Sequence, residues 1–366
     1  MQTENKRLLS LDILRGLTII LMIIVNNAGS WESVYAPLLH ADWNGITPTD
    51  YVFPGFLFII GVSIVFSLTK QIESGKSRME ITKKITWRSL KIYLVGVFLW
   101  LWPNFDFQDI RFVGVLQRIA FVFFSCAILF LYTSRKTQFY IGAVIIIGYW
   151  ILMAYITIPG IGMPDLSVPE KNWAHFLDQL LIPGRLYRHT WDPEGFLSTF
   201  PAIANGLIGM LAGYILLRKE ELKNKLNQIF FLGFIFLLSG DIMQWFFPFN
   251  KNIWSTSFTL FTGGIGMLAL GATTYYFDVK KTRFRFLLAH VFGVNSIFAY
   301  TLSSLLTVVF YNSKWLGIAL NGEFMGLWSN IGLPLKLGSL VYALLYVIVI
   351  WIPTYYLFKK KIYIKL

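Results

Sequence analysis

The chain has 366 residues, of which 56% are hydrophobic, 17% aromatic and only 14% charged, with a mean hydropathy of +0.60. So few charges cannot coat a water-soluble globule of this size, which excludes a soluble enzyme; disorder and collagen-like or repeat arrays are excluded by the hydrophobicity and by 29 Gly and 13 Pro that follow no period. What remains is a polytopic membrane protein, in which the net charge of +13 is read by position rather than as a nucleic-acid signal.

A helical span needs about 20 mostly apolar residues to cross roughly 30 Å of hydrocarbon. Apolar runs at about 10–28, 51–69, 89–103, 112–133, 138–158, 197–217, 227–247, 254–277, 286–310 and 334–358 predict an all-α, polytopic helical membrane protein with about ten transmembrane helices. A shorter run near 315–328 is a candidate re-entrant segment. Most of the 32 Lys and Arg fall at Lys6 and Arg7, between Lys70 and Lys91, at Arg135 and Lys136, between Arg218 and Lys225, between Lys280 and Arg285, and between Lys359 and Lys365. The positive-inside rule puts these segments and both termini in the cytoplasm, and the expected location is the cytoplasmic (inner) membrane. Such a face implies anionic membrane lipids as partners, or an anionic cofactor.

The first run carries Asp12 and Arg15 three residues apart on one helical face, where they can pair with each other or hold a ligand. A cleaved signal peptide ending at Ala28-Gly29-Ser30 is the competing reading, disfavoured by the length of the run and its two charges. Asn26 and Asn27 follow at its exoplasmic end.

The loop from Ser30 to Asp50 has no Lys or Arg but concentrates His40, Asp42, Trp43, Asn44 and Asp50. An imidazole with nearby carboxylates has the composition for general-base work, against a solvated or capping histidine; Asp50 equally suits a helix N-cap. Trp43 and Asn44 are candidate substrate contacts. Further polar groups sit where apolar residues are expected: Gln117 and Arg118 in the fourth run, Asp241 and Gln244 in the seventh, Asn295 and Ser296 in the ninth. These could line one internal cavity, or each could simply make an interhelical hydrogen bond. The loop at about 159–196 ends in Asp192-Pro193-Glu194-Gly195, whose acids suit a cationic or hydroxylated substrate and whose pattern also suits a helix start.

The lone Cys126 implies packing rather than a disulfide, and with four His no metal-ligand spacing can be assembled, so no metal is expected. No Walker A sequence, Gly-rich nucleotide loop or G-x-S-x-G elbow is present, and the fifth residue after His40 is Gly45, so the His-x4-Asp acyltransferase pattern fails.

The runs Ser10-Leu11-Asp12-Ile13-Leu14-Arg15-Gly16, Val25-Asn26, His40-Ala41-Asp42-Trp43-Asn44-Gly45 and Asp50-Tyr51-Val52-Phe53-Pro54 together resemble the heparan-alpha-glucosaminide N-acetyltransferase family. Gly114-Val115-Leu116-Gln117-Arg118, Asp192-Pro193-Glu194-Gly195, Asn250-Lys251-Asn252-Ile253-Trp254-Ser255 and Gly293-Val294-Asn295-Ser296 continue the resemblance in the same order. It implies a single transmembrane acyltransferase domain over 1–366 that moves acetyl from cytosolic acetyl-CoA to the amine of a terminal glucosamine-type sugar on the exoplasmic side. It further implies a homodimer, with His40 as the essential histidine and Asn26 as the active-site asparagine.

A thioester is already activated, so the protein must align the amine, remove a proton and stabilise an oxyanion. On this reading His40 is the base, Asn26 donates to the carbonyl oxygen, and Asp42 or Asp50 orients the imidazole. The candidate cofactor contacts are Arg15, Lys84, Arg88, Arg118 and Asn295, and the candidate substrate contacts Trp43, Asn44, Asp192 and Glu194. An acetyl-His intermediate competes with direct transfer. The alternatives are an O-acyltransferase of a surface glycan and a small-molecule transporter without catalysis, the latter lacking any convincing internal repeat.

Overall fold

The structure is a computed structural model that describes residues 8–282 and 286–364, with the backbone alone for residues 314 and 315. Lys6, Arg7, Arg283, Arg285 and Lys365 lie outside the described residues. The described chain is helical: α1 (Leu9–Asn26), α2 (Val52–Glu73), α3 (Arg78–Leu101), α4 (Val115–Tyr132), α5 (Arg135–Tyr155), α6 (Trp173–Leu181), α7 (Thr199–Leu217), α8 (Leu222–Met243), α9 (Thr256–Thr274), α10 (Leu287–Val294), α11 (Ser296–Tyr311), α12 (Ser313–Leu316), α13 (Leu320–Asn330) and α14 (Leu335–Lys359). Among the described residues, eight helical stretches are long and apolar enough to cross a membrane, and the pair α10 and α11, bent by 90° at Asn295, forms a broken ninth span or a re-entrant loop.

Two expectations change shape. The run at 89–103 is only the apolar end of α3, which carries Arg78, Lys83, Lys84, Arg88 and Lys91 over its first fourteen residues and so falls short of the apolar content of a span. The segment near 315–328 becomes α13, only 11 residues long, too short to span at 1.5 Å per residue.

The chain groups into two compact units, one made of residues up to His40 with Ala269–Lys365, the other of Ala41–Leu268. In the first, α1 packs against α10, α11 and α14. Its contact with α10 is backbone on backbone: a Cβ on Gly16 would stand 1.7 Å from the Ala289 carbonyl oxygen. Without a hydrophobic force between helices in lipid, such small-residue seams are how two spans gain packing contacts. The expected pairing of Asp12 with Arg15 is present at 3.0 Å, and Arg15 Nη1 also donates to the Gly293 carbonyl at 3.2 Å.

In the second unit α7 is central, packed by α2, α4, α5 and α8. The span holding α7 is 78% buried, those of α5 and α8 only 17% and 22%, so α5 and α8 turn most of their apolar surface outward, as lipid-facing helices do. Cys126 is buried in this core, its thiol 3.7 Å from the Ile203 carbonyl, in the packing role read from its isolation.

Candidate active site

The start of α2 is built by its own sequence. Thr47 and Asp50 form a capping box in which Asp50 Oδ2 accepts from the Thr47 amide at 2.9 Å and its hydroxyl at 3.1 Å. The same oxygen accepts from the Ala41 amide at 3.3 Å, closing the loop on itself, and Lys251 Nζ lies 3.9 Å from Asp50 Oδ1. Burial lowers the Lys251 pKa, while Glu194 and Asp50 act against that shift. Asp50 thus does the capping work its position suggests, and faces a partly buried lysine as well.

The segment Asp42–Gly45 is stitched to two distant loops. Trp43 Nε1 and Asn44 Nδ2 both donate to the Leu166 carbonyl, at 2.9 and 3.1 Å, and the Trp43 ring meets Trp191 edge-on at 5.2 Å. Asn250 Nδ2 donates to Asn44 Oδ1 at 3.0 Å, the Gly45 amide donates to the Phe249 carbonyl at 2.7 Å, and Asn252 Nδ2 reaches the Asp42 carbonyl at 3.5 Å. The Asp42 side chain is exposed.

A second network organises residues 178–198. Arg111 donates through Nε and Nη2 to both oxygens of Asp192, at 2.7 and 2.5 Å, and through Nη2 to Glu194 at 2.7 Å. The Tyr187 and Trp100 rings cover its guanidinium at 4.9 and 5.5 Å. Burial works against this charge, but the hydrogen bond to Asp192 and the charges of Glu194 and Asp192 outweigh it and raise the Arg111 pKa. Asp192 and Glu194 are both buried, so the two candidate substrate acids are engaged by a protein cation.

Asp178 sits behind them. Asn172 caps α6 through the His175 amide, and residues Ala174, His175 and Asp178 form its buried face. Asp178 Oδ1 accepts from the Phe196 amide at 2.8 Å and Oδ2 from the Asp192 amide at 3.4 Å. A Cβ on Gly195 would lie 2.0 Å from Asp178 Oδ2, which explains the glycine after Asp192-Pro193-Glu194. Burial pushes the Asp178 carboxyl up to about 7.

Arg118, in the first turn of α4, is 1% exposed and donates through Nη2 to the Gly195 carbonyl at 3.1 Å and to the Ser198 hydroxyl. Its guanidinium lies 5.0 Å from the Trp254 ring, whose Nε1 donates to Asn205 Oδ1 at 2.7 Å. Among the described residues its Nε and Nη1 are buried with no hydrogen-bond partner. Elsewhere in this unit Lys84 is exposed and paired with Glu80 at 2.5 Å, while Arg88 lies 4.8 Å from the Phe123 ring centroid with Nε buried and unpartnered. Asp241 is exposed on α8, where Gln244 donates to it at 2.7 Å, so this pair does not line an internal cavity with Arg118.

The first unit holds Asn26, Arg15, Asn295 and His40. Asn26 lines a cleft of about 50 Å³ between the end of α1 and α11. Asn27 is buried, its amide spent on the Ile23 carbonyl at 2.8 Å. Asn295, fully buried at the bend between α10 and α11, donates to the Ile362 carbonyl at 3.2 Å and accepts from the Ile364 amide at 3.0 Å. His40 is exposed.

Sequence reasoning missed Arg111, Asp178, Asn205 and Lys251. Lys251 stands within the Asn250–Ser255 run and Arg111 just before the Gly114–Arg118 run, positions that name no partner. Asp178 carried no signal beyond lying on the face that α6 buries.

The family model described as the catalytic region of heparan-alpha-glucosaminide N-acetyltransferase matches residues 7–241. The chain is 29% identical over 314 residues to the heparan-alpha-glucosaminide N-acetyltransferase of Mus musculus, covering 70% of this chain and 47% of that protein. It is 29% identical over 330 residues to the protein of the same name from Homo sapiens, covering 75% and 49%. The chain thus spans about half the length of the curated relatives it matches.

Proposed function

The chain belongs to the heparan-alpha-glucosaminide N-acetyltransferase family, and from that premise we propose that it moves an acetyl group from cytosolic acetyl-CoA to the amine of an amino sugar at the exoplasmic side of the cytoplasmic membrane. The single observation that carries this reading is the family match over residues 7–241, which takes in Asn26, the His40–Gly45 segment, Arg118 and the Asp192–Gly195 run on an all-helical chain rich in span-length helices. The reading takes 1–366 as one catalytic domain, with both termini cytoplasmic, and includes a homodimer among its expectations.

Bound acetyl-CoA supplies a thioester already activated for acyl transfer. The protein's part is alignment, proton removal and oxyanion stabilisation. His40 takes the proton released as the acceptor nitrogen bonds to the acyl carbon, and the same imidazole hands it to the departing sulfur, so that no net proton is left on the protein. Asn26 donates its amide to the acyl oxygen as negative charge builds there. Asp42, exposed and two residues along the chain from His40, is the carboxylate best suited to orient the imidazole, since Asp50 Oδ2 is already committed to three donors in its own loop.

An anionic donor fits the cations present. Arg88 has a buried Nε with no hydrogen-bond partner, the state of a guanidinium that a phosphate oxygen would satisfy. Arg88 and Lys84 would hold phosphate oxygens, Lys84 by exchanging Glu80 for them, and Arg15 is a separate candidate contact. Arg118 and Asn295 are further candidate contacts. Trp43 and Asn44 shape the acceptor side from a loop fixed on Leu166, while Asp192 and Glu194, bound to Arg111, act as the frame of that side.

The test is transfer of radiolabelled acetyl from acetyl-CoA to glucosamine by the purified, detergent-solubilised chain, with His40→Ala alongside. A His40→Ala protein that still binds acetyl-CoA should lose transfer by about a hundredfold or more. Undiminished transfer would overturn the base assignment, and wild-type protein that binds no acetyl-CoA would overturn the reading.

A further inference from the structure

We infer that Ser303, Ser304 and Thr307 on α11 form the wall that receives the acceptor's amine nitrogen, an inference that rests on the acetyl-transfer reading and gives it a recognition site. These three residues line the same cleft as Asn26, with Met22 and Ile23 of α1 contributing its apolar side. Their hydroxyl hydrogens are all spent within α11: Ser303 and Ser304 donate to the Tyr300 carbonyl at 2.8 and 3.1 Å, and Thr307 donates to the Ser303 carbonyl at 3.0 Å. A hydroxyl that has given its one hydrogen to the helix backbone offers only lone pairs to anything else. At these three positions the cleft therefore accepts hydrogen bonds and donates none, while Tyr300 of the same helix lines it beside them.

That chemistry selects the ligand. A carboxylate, phosphate or carbonyl oxygen brings no hydrogen to three acceptors, a hydroxyl brings one, and an amine or ammonium brings two or three. Size agrees: with about 10–15 Å³ needed per water-sized sphere, the space of about 50 Å³ holds one small functional group and the carbon that bears it, but no sugar ring. The ring stays outside and its nitrogen enters. There the nitrogen's hydrogens face the α11 oxygens, and the Asn26 amide, on the same cleft, is the donor for the acyl oxygen. As the nitrogen lone pair forms the bond to the acyl carbon and the carbon–sulfur pair leaves with sulfur, His40 takes one nitrogen proton. The remaining N–H is held by an α11 oxygen. The cleft thereby favours N-acetylation over O-acetylation.

The experiment uses the full chain in detergent and reads two quantities, equilibrium binding of glucosamine and the KM values for glucosamine and acetyl-CoA, in wild type, Ser303→Ala, Ser304→Ala, Thr307→Val and Thr307→Ser. Losing one accepted hydrogen bond should raise the glucosamine dissociation constant and KM about five- to tenfold, leaving the KM for acetyl-CoA unchanged. Thr307→Ser, which keeps the oxygen, should behave as wild type, and glucose, with a hydroxyl in place of the amine, should bind more weakly than glucosamine. Unchanged glucosamine binding in all three oxygen-deleting variants would overturn the inference, as would a change confined to the KM for acetyl-CoA. Glucosamine binding that the variants weaken, without acetyl transfer in wild type, would leave the wall standing and overturn the transferase reading instead.

Discussion

Arg111 and Asp192, 81 residues apart in the chain, meet through two parallel hydrogen bonds of 2.7 and 2.5 Å in a buried setting where Glu194 shares the same guanidinium. One cation thus bridges two carboxylates, and the loops that carry them cannot separate without leaving buried charge unpaired.

Arg111→Ala should cost about 3–5 kcal/mol, because it leaves Asp192 and Glu194 buried without their cation. Arg111→Lys should recover only part of this, since an ammonium cannot reproduce the paired geometry. Thermal unfolding in detergent checks it: a melting temperature lowered by roughly 10 °C is expected for the alanine variant. A change within a degree or two would show that the network is not structural.

Asp178 should make stability fall as pH rises. Its carboxyl, pushed by burial up to about 7 against an ordinary 3.8, binds its proton more tightly folded than unfolded. The folded state therefore gains from protonation below the unfolded value, loses that gain between about 4 and about 7, and is indifferent to further increase. Asp178→Asn, neutral throughout, should flatten this part of the profile. Melting temperatures of both proteins from pH 4.5 to 8 decide the matter, and parallel profiles would refute it.

Gly16→Ala should damage the first unit well beyond the usual effect of a methyl group. The new Cβ meets no flexible side chain, only the backbone of Ala289 and Gly293. Overpacking of this kind costs about 1–3 kcal/mol or more. Size-exclusion profiles and melting curves, with Leu21→Ala on the exposed face of α1 as control, should show loss for Gly16→Ala alone.

Much of this architecture was legible because the spans announce themselves by sustained hydropathy and the short motifs have unusual composition. The Asp12 and Arg15 pair and the Asp50 cap were readable because both depend on local spacing. Partners set by tertiary structure were not. Nothing local in Asp192-Pro193-Glu194-Gly195 tells a ligand-facing acid from one bound to Arg111, and nothing in the apolar run at 286–310 announces a 90° bend. The charged half of α3 hid a helix of 24 residues behind a short apolar run, because hydropathy detects lipid contact rather than helicity.

The bend at Asn295 has a practical corollary for handling the protein. Helix hydrogen bonding is interrupted there, and the asparagine amide closes the gap by clasping the backbone of Ile362 and Ile364, beyond the last helix. The carboxyl-terminal strand of chain is thus a buckle rather than a loose end. Removing residues 362–364 would leave a fully buried amide unanswered at the bend.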